Sequence, residues 1–407
     1  MLRRSKLVKL LPFAVAAAFL FLISFLAQRL TYTDEGSRGG KMEADFEALL
    51  REASSYTPFK YKGVYSSVSS KDEVDKLVVK AANSGFNLII WFVNPRRGPE
   101  GVTASYKTSF FPCEKTCEED LLAYLLERAH ERGLKVWAWF GFMGYKSLLE
   151  RNPSWAAVWP TGETTLEKPC SPGGEKFHVL NPANPQVVEF WRQALVDLVT
   201  RYDVDGVNFE DDYGYGYCGE NFSYDELNRR MFQAFLEKRG INSFEWPRDA
   251  LKGGRYYDHW VDYKCEVVSN VTRDLVKTLK TLKPGIEVSL AVMVNREWNR
   301  EIHGIDWVEL GREGLFDYLT FMAYTADDRT LESWVESVHQ ELNGARSKPI
   351  IIIGWELRGY PAINWVKQAL VVRRLGGEDL IVFWDGGIER SNAWGYFLQL
   401  FNAMGKN

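Results

Sequence analysis

Three acidic residues stand side by side in the middle of the chain, at Glu210, Asp211 and Asp212. Carboxylates held this close repel one another, and partial burial adds to that repulsion, so the pKa of at least one of them should be raised. A protonated carboxyl beside an ionised one is the pair that cleavage of a glycosidic bond requires. Glu210 and Asp212 are therefore the candidate acid/base pair, with Asp211 in support. A solvated acidic turn or a calcium site is the structural alternative.

The segment that leads into this cluster has the alternation of a β-strand, in which successive side chains point to opposite faces. In the run 206–210, GVNFE, Val207 and Phe209 share one face, whereas Gly206, Asn208 and Glu210 share the other. In a barrel the apolar pair would meet the surrounding helices and the second set would point inward. Glu210 would then stand at the C-terminal end of the strand, with Asn208 as a candidate substrate-binding residue.

The ends of other predicted strands carry further candidates. Glu356 follows the seventh strand and is a candidate second carboxylate, unless it pairs with a nearby arginine such as Arg358. Aromatic rings at strand ends suit packing against the C–H faces of sugars, although ordinary core packing is the alternative. The remaining substrate-binding candidates are Asn94, Trp139, Tyr324, Trp384 and Asp385.

Eight strand-like segments alternate with amphipathic helical stretches along the chain. They cover residues 61–68, 87–93, 134–140, 206–210, 287–294, 318–324, 349–355 and 379–385. Eight such units in order predict a single closed (β/α)8 barrel of the α/β class, whose active face is built by the loops after the strands. An open doubly wound sheet is the runner-up, but no glycine-rich phosphate loop follows the first strand.

Short sequence patterns predict where some helices begin and where a disulfide can form. Capping-box pairs are expected at Ser70 with Glu73, Thr116 with Glu119 and Ser223 with Glu226. Cys113 and Cys117 lie in one connection and can form a local disulfide, while an odd total of five cysteines leaves at least one thiol unpaired. The histidines have no metal-site or triad spacing, so neither a metal nor a cofactor is expected.

The first thirty residues differ from the rest. A basic start is followed by residues 10–27, LLPFAVAAAFLFLISFLA, which carry no charge and reach the lower limit for a membrane-spanning helix. Basic residues ahead of such a run favour a cytoplasmic N-terminus and an extracytoplasmic remainder. The expected organisation is a basic cytoplasmic segment 1–9, a signal anchor or cleaved signal peptide 10–28, a polar stalk 29–57 and the barrel domain 58–404. The lipid bilayer is thus an expected partner through residues 10–28.

The amino-acid composition and net charge limit the kinds of molecule that the chain is expected to bind. The chain has 407 residues, 14% of them aromatic, and a formal net charge of −4. No basic patch suggests a nucleic-acid partner, whereas abundant aromatic residues near the presumed barrel mouth suit carbohydrate.

Several pieces in a fixed order resemble the glycosyl-hydrolase-like family 10 barrels, over most of residues 60–325. They are Gly63-Val64, Asn87-Leu88-Ile89-Ile90, Ala129-His130-x-Arg132-Gly133-Leu134, Trp137-Ala138-Trp139-Phe140, Leu180-Asn181-Pro182-Ala183-Asn184-Pro185 and Tyr202-x-Val204-Asp205-Gly206. The resemblance implies a barrel hydrolase that acts on a glycan, with acidic residues after the fourth strand as catalytic candidates. That family usually has two adjacent aspartates before an aromatic residue, and this chain has one more carboxylate.

A fainter resemblance is to the family 18 chitinase barrels, whose fourth strand carries DGxDxDxE. The corresponding positions here are Asp205, Gly206, Asn208, Glu210 and Asp212, three of them changed in type. This resemblance implies that Asp212 is the acid, that Glu210 and Tyr324 assist, and that the substrate supplies a 2-acetamido group as internal nucleophile.

The expected function is hydrolysis of O-glycosidic bonds in a polysaccharide or glycan, outside the cytoplasm, by a membrane-anchored or secreted enzyme of carbohydrate metabolism. Two alternatives stay open. One is a glycan-binding barrel without turnover, in which the carboxylates would be salt-bridged or too far apart. The other is a substrate-assisted hydrolase of N-acetylhexosamine glycans.

Overall fold

The computed structural model of the protein describes residues 36–171, 176–217, 220–354 and 360–406. The segments predicted as a cytoplasmic start (1–9) and a signal anchor or signal peptide (10–28) lie outside these ranges. Within these ranges no helix is long and apolar enough to cross a membrane. The predicted stalk contains one helix, α1 (Gly36–Ala53).

Parallel strands of the described chain close into an eight-stranded barrel in which the last strand pairs with the first. In chain order they are β1 (Lys62–Ser66), β2 (Leu88–Phe92), β3 (Lys135–Phe140), β4 (Gly206–Phe209), β5 (Glu287–Met293), β6 (Tyr318–Met322), β7 (Lys348–Ile353) and β8 (Leu380–Val382). The predicted barrel is confirmed, with strands somewhat shorter than their apolar segments. A two-stranded hairpin, Gly216–Tyr217 with Glu220–Asn221, follows β4.

Helices of the described chain follow the strands. They are α2 (Lys71–Asn83), α3 (Lys115–Glu118), α4 (Leu121–His130), α5 (Lys146–Arg151), α6 (Pro185–Arg201), α7 (Glu226–Glu237), α8 (Tyr257–Leu282), α9 (Arg296–His303), α10 (Trp307–Glu313), α11 (Asp328–Glu341), α12 (Ala362–Arg374), α13 (Asp385–Arg390) and α14 (Trp394–Ala403). Single turns of 3₁₀ helix occur at Pro153–Trp155, Asp211–Tyr213 and Arg248–Ala250.

Helix starts follow the local sequence only in part. Ser70 caps α2 as predicted, and its hydroxyl accepts from the Glu73 amide. The other two capping predictions are wrong. Thr116 instead donates to the Ala104 carbonyl, and α7 is capped by Asp225. Ser223 has a φ of 68°, in the left-handed region, because the chain turns there before the helix begins.

The predicted cross-link is present as a disulfide between Cys113 and Cys117. Cys265 is a buried free thiol. The disulfide joins a residue two positions ahead of α3 to a residue within that helix, in the connection between β2 and α4.

Inside the barrel, a large side chain on one strand fills the space left by a glycine on the neighbouring strand. Trp137 of β3 pairs in register with Gly206 of β4, and the indole fills the space that a side chain at 206 would occupy. A Cβ placed on Gly206 would lie 2.5 Å from the Trp137 ring and 2.8 Å from the Glu287 carbonyl oxygen. Gly206 therefore points inward as predicted, and the indole needs the glycine.

We predict that Gly206→Ala lowers the free energy of unfolding by roughly 1–3 kcal/mol or more, because the packed core must shift to admit the methyl group. Chemical denaturation followed by circular dichroism measures the change. Gly395→Ala is the matched control, since nothing lies within 4 Å of its Cβ position and alanine suits a helix. Equal stabilities of the two variants would contradict this packing account.

Candidate active site

The three acidic residues lie at the C-terminal end of β4, on the face of the barrel where the loops after the strands meet. The Glu210 amide still bonds to the Phe140 carbonyl at 3.0 Å, so the side chain keeps the inward direction set by the strand. The chain then turns through the 3₁₀ helix Asp211–Tyr213. All three carboxylates are buried, with residue exposures of 8% for Glu210, 5% for Asp211 and 2% for Asp212.

Glu210 is held by two side chains from neighbouring strand ends. The Trp139 indole Nε1 donates to its Oε2 at 2.5 Å, and Arg96 Nη2 donates to its Oε1 at 3.0 Å. Trp139 lies near the end of β3, and Arg96 lies in the loop after β2. Both oxygens of Glu210 therefore have a fixed donor, which orients the carboxylate.

Asp212 shares the same guanidinium. Its Oδ2 accepts from Arg96 Nη2 at 2.9 Å, and its Oδ1 accepts from the Phe142 amide at 2.8 Å. Its side chain has no exposed surface, whereas that of Glu210 is 11% exposed. Burial raises the pKa of Asp212 to about 6, Arg96 opposes that rise, and Glu210 adds to it.

Asp211 is turned away from Arg96 and faces the interior near α9. Its Oδ2 lies 3.6 Å from Nε2 of His303. Burial raises the pKa of Asp211 well above its usual value, and repulsion from Glu210 and Asp212 raises it further. Burial lowers the pKa of His303 to about 3, so this histidine is neutral near physiological pH and does not neutralise the carboxylate.

Arg96 is the cation that meets this acidic cluster. Its guanidinium carbon lies 4.9 Å from the centre of the Tyr217 ring, 5.6 Å from Phe92 and 5.8 Å from Phe177. Those rings restrict the guanidinium and keep water from it, which strengthens its ion pairs with Glu210 and Asp212. Its Nε is buried without a hydrogen-bond partner among the described residues.

Two cavities adjoin this arginine. The aromatic cavity, about 480 Å³, is lined by Tyr65, Ser66, Ser67, Phe92, Pro95, Arg96, Arg97, Trp139, Phe177, Tyr217, Phe383 and Trp384. The basic cavity, about 670 Å³, is lined by Arg96 to Gly101, Lys146, Leu166, Glu167, Pro169, Lys176, Phe177 and His178. Arg96, Arg97 and Phe177 border both, so the two cavities form adjacent parts of one cleft.

The two asparagine candidates lie beneath the cleft. Asn208 accepts from the Tyr65 hydroxyl at 2.9 Å and donates to Ser289 at 2.8 Å, deep in the barrel. Asn94 exchanges two hydrogen bonds with the Gly141 backbone, at 2.6 and 2.9 Å. Both side chains are fully buried and both amides have partners inside the protein. In the structure both amides hold strand ends in place, and a substrate-binding role for them stays a prediction.

Of the candidates at the ends of β6 and β8, Trp384 is the one that lines a cavity of the described chain. Trp384 lines the aromatic cavity, and its Nε1 is a buried donor without a partner among the described residues. Tyr324 packs its ring 5.2 Å from that of Phe383, which also lines the cavity. Burial raises the pKa of Asp385, the next residue along the chain from Trp384, to about 6.

Glu356 and Arg358 lie outside the described residues, so their pairing stays a prediction. Among the described residues no group of histidine, cysteine or acidic side chains has the arrangement of a metal site. The sequence reasoning missed Arg96, Arg97 and His303. The arginines had a signal, because Asn94-Pro95-Arg96-Arg97 follows directly on a buried strand. His303 had none, since it is brought to Asp211 by the path of α9.

The buried Asp211 predicts how stability depends on pH. Its pKa in the folded state is above that of the unfolded chain, so the folded protein binds the extra proton at low pH and loses that advantage as pH rises through the folded value. Asp211→Asn carries no charge at any pH. We predict that its free energy of unfolding, relative to wild type, increases from pH 4 to pH 8, by up to about 1.4 kcal/mol per unit of pKa difference.

Denaturant titrations at several pH values measure this difference, in which effects of other groups such as His303 largely cancel. Asp203→Asn is the control, because Asp203 is 86% exposed and its ion pair with Lys283 lowers its pKa. That control should lose stability relative to wild type as pH rises. An Asp211→Asn advantage that does not change with pH would show that Asp211 is not held protonated.

Known proteins resemble this chain in sequence. Glycosyl hydrolase DigH of Escherichia coli K12 is 26% identical over 234 residues, which are 50% of this chain and 46% of DigH. Glycosyl hydrolase YngK of Bacillus subtilis is 21% identical over 243 residues, 54% of this chain and 39% of YngK. The chain thus matches less than half the length of these relatives.

Solved structures share the barrel. A β-galactosidase from Rahnella sp. R3 superposes with a TM-score of 0.60 at 14% identity, covering 87% of this chain and 58% of that one. The α-L-fucosidase isoenzyme 2 of Paenibacillus thiaminolyticus gives 0.57 at 16% identity, covering 84% and 49%. At these identities the likeness extends to the fold alone.

The family model described as glycosyl hydrolase-like 10 matches residues 69–356, from the cap of α2 to the position just past β7. This range contains β2 to β7, the whole basic cavity, the aromatic cavity except its β1 and β8 edges, and the whole acidic cluster. The chain belongs to the glycosyl hydrolase-like 10 family.

Proposed function

We propose that this protein hydrolyses O-glycosidic bonds of a polysaccharide or glycan, with Glu210 as a carboxylate at the reacting bond. The observation that carries the proposal is the position of Glu210. Of the three carboxylates it has the most exposed side chain, 11% against 7% for Asp211 and 0% for Asp212, and it accepts a hydrogen bond from the cavity-lining indole of Trp139.

The spacing of the carboxylates supports hydrolytic chemistry. Glu210 Oε1 and Asp212 Oδ2 contact the same nitrogen of Arg96. Those two oxygens can therefore be no more than about 6 Å apart, nearer to the roughly 5–5.5 Å of retaining glycosidases than to the roughly 6.5–9.5 Å of inverting ones. A retaining reaction, with Glu210 able to act directly on the sugar, fits this geometry better.

The protonation states of the cluster are unequal, as the chemistry needs. Arg96 favours the ionised form of Asp212, whereas burial favours the protonated form of both Asp211 and Asp212. Asp212 exchanges its proton near neutral pH but has no exposed surface in this arrangement. Asp212 can therefore reach a substrate only if Arg96 moves, and otherwise acts by setting the charge around Glu210.

Glu356 is the alternative second carboxylate by its place in the sequence, since it comes shortly after β7 and the segments that follow the strands build the active face of such a barrel. It would take the role of acid or nucleophile if Asp212 serves only to position Arg96.

A glycan-binding barrel without turnover is the second candidate, and one observation favours it. Arg96 pairs with both Glu210 and Asp212, and a carboxylate held in a buried ion pair is a poor proton donor. The substrate-assisted reaction on N-acetylhexosamine glycans is less favoured, because its acid would be Asp212, which is covered by Arg96.

Three single variants test these roles: Glu210→Gln, Asp212→Asn and Glu356→Gln. We expect Glu210→Gln to lower the rate of reducing-end formation by roughly 10²–10⁴-fold, the usual contribution of a catalytic acid or base. Whichever of Asp212→Asn and Glu356→Gln lowers that rate by a similar factor identifies the second carboxylate. The assay uses α- and β-linked polysaccharides with and without N-acetyl groups, and circular dichroism checks that each variant folds.

Asp379→Asn is the matched control, since Asp379 is also buried and has a raised pKa but lies just ahead of β8, at the opposite end of the barrel from the cleft. It should retain the activity of wild type to within a few-fold. A Glu210→Gln variant with wild-type rates would refute the assignment. Glycan binding without product from wild type would favour the non-catalytic barrel.

We also propose that the barrel works outside the cytoplasm, on the strength of the basic start and the uncharged run 10–27. In cells that express the full chain, the protein should be found in the membrane fraction if residues 10–28 anchor it. If they are cleaved, it should be found in an extracytoplasmic fraction with a shortened N-terminus. Fractionation and N-terminal mass determination distinguish the two. Full-length protein in the cytoplasmic fraction would contradict the proposal.

A further inference from the structure

Arg97 stands out among the charged groups of the cleft because it lacks a partner. Its Nε and Nη2 are buried and donate to no oxygen among the described residues, and no carboxylate of the described chain forms an ion pair with it. Glu114 and Glu73 act on it only by longer-range attraction. Burial of an unpaired guanidinium nitrogen is costly, and native proteins rarely keep one without a reason.

The other charges near Arg97 leave the region positive. Arg96 is already engaged by Glu210 and Asp212. The acidic residues of the basic cavity are also occupied, since Glu100 accepts from the Ser147 amide at 2.7 Å and Glu167 accepts from the Thr164 amide at 2.8 Å. Lys176 adds a further positive charge to the lining. Neither glutamate forms an ion pair with Arg97, and the lining of this cavity has four basic side chains against these two acidic ones.

The position of Arg97 brings this positive charge next to the aromatic cavity, where a sugar ring could stack. It borders both the basic cavity and the aromatic cavity that contains Trp139 and Trp384. A sugar ring that stacks in the aromatic cavity, or the next ring of the chain in the basic cavity, would place a substituent beside the free guanidinium donors. Arginine binds planar oxyanions through two parallel N–H bonds, so a carboxylate fits the fork best.

We propose that Arg97 is a specificity-determining residue that selects a glycan bearing an anionic group, a carboxylate in the first place, on the sugar bound at the junction of the two cavities. The inference rests on the proposed function, because it names the class of glycan that the same cleft takes. A sulfate ester presents similar oxygens, and the test separates the two sources.

Binding is measured in the full-length protein carrying Glu210→Gln, so that turnover is not needed. The probes are polygalacturonate, alginate and hyaluronan, each beside its own carboxyl-reduced neutral form, with dextran sulfate beside dextran. Affinity electrophoresis through gels that contain each polymer gives dissociation constants. We expect at least one carboxylated polymer to bind ten-fold or more tightly than its reduced form, with a preference that weakens at high salt.

Arg97→Gln in the same background should remove that preference, and Arg97→Lys should keep part of it. Arg346→Gln removes one charge from an exposed arginine ahead of β7, at the opposite end of the barrel, and should leave the preference unchanged. Preference for dextran sulfate alone would reassign the oxyanion from carboxylate to sulfate and overturn the carboxylate choice.

Equal binding of acidic and neutral polymers, no binding of any acidic polymer, or a preference that survives Arg97→Gln would overturn the inference. The proposed function would be untouched by those results if unmodified protein releases reducing ends from a neutral glycan. Conversely, acidic-glycan binding that depends on Arg97, without any product from the unmodified protein, would support the inference and refute hydrolysis.

Discussion

The guanidinium of Arg96 lies among three buried carboxylates, and the arrangement of the barrel mouth depends on its ion pairs. Arg96 contacts Glu210 and Asp212 through the same nitrogen, and no second cation within the described chain contacts either carboxylate. Removing charged groups from water costs several kcal/mol per ion in real proteins, so the cluster persists only because its charges are paired or protonated. Burial shifts Asp211 toward the protonated state, which reduces the charge that Arg96 has to balance.

Hydrogen bonds inside the barrel determine the direction in which Glu210 points. Asn208 bonds to Tyr65 of β1, Ser289 of β5 and more distantly to Thr320 of β6, so one amide joins four strands. This network sets the rotation of β4 about its own axis. Because side chains alternate along a strand, Glu210 two residues later must point into the same interior, at the mouth.

The same alternation explains what could be predicted from the sequence. The run GVNFE predicts the inward face that carries Gly206, Asn208 and Glu210, and eight apolar segments predict the closed sheet. The pairing of Arg96 with Glu210 could not be predicted, because the two residues are 114 positions apart and meet only when the barrel closes. Local capping patterns failed where tertiary contacts were stronger, as at Thr116, whose hydroxyl bonds to Ala104 instead.

The geometry of Arg96 couples the cleft to the proton affinity of Asp212. Arg96 lines both cavities while it holds the two carboxylates, so a ligand that enters either cavity meets the same guanidinium. Any displacement of Arg96 toward a ligand removes the attraction that restrains the pKa of Asp212, whereas the effect of burial remains. Asp212 would then bind a proton more tightly at the moment when its cover is withdrawn. Without substrate, the ion pair between Arg96 and Asp212 keeps the Asp212 carboxyl covered. Under the proposed function, breaking that ion pair as substrate binds would expose a protonated Asp212 carboxyl to the cleft.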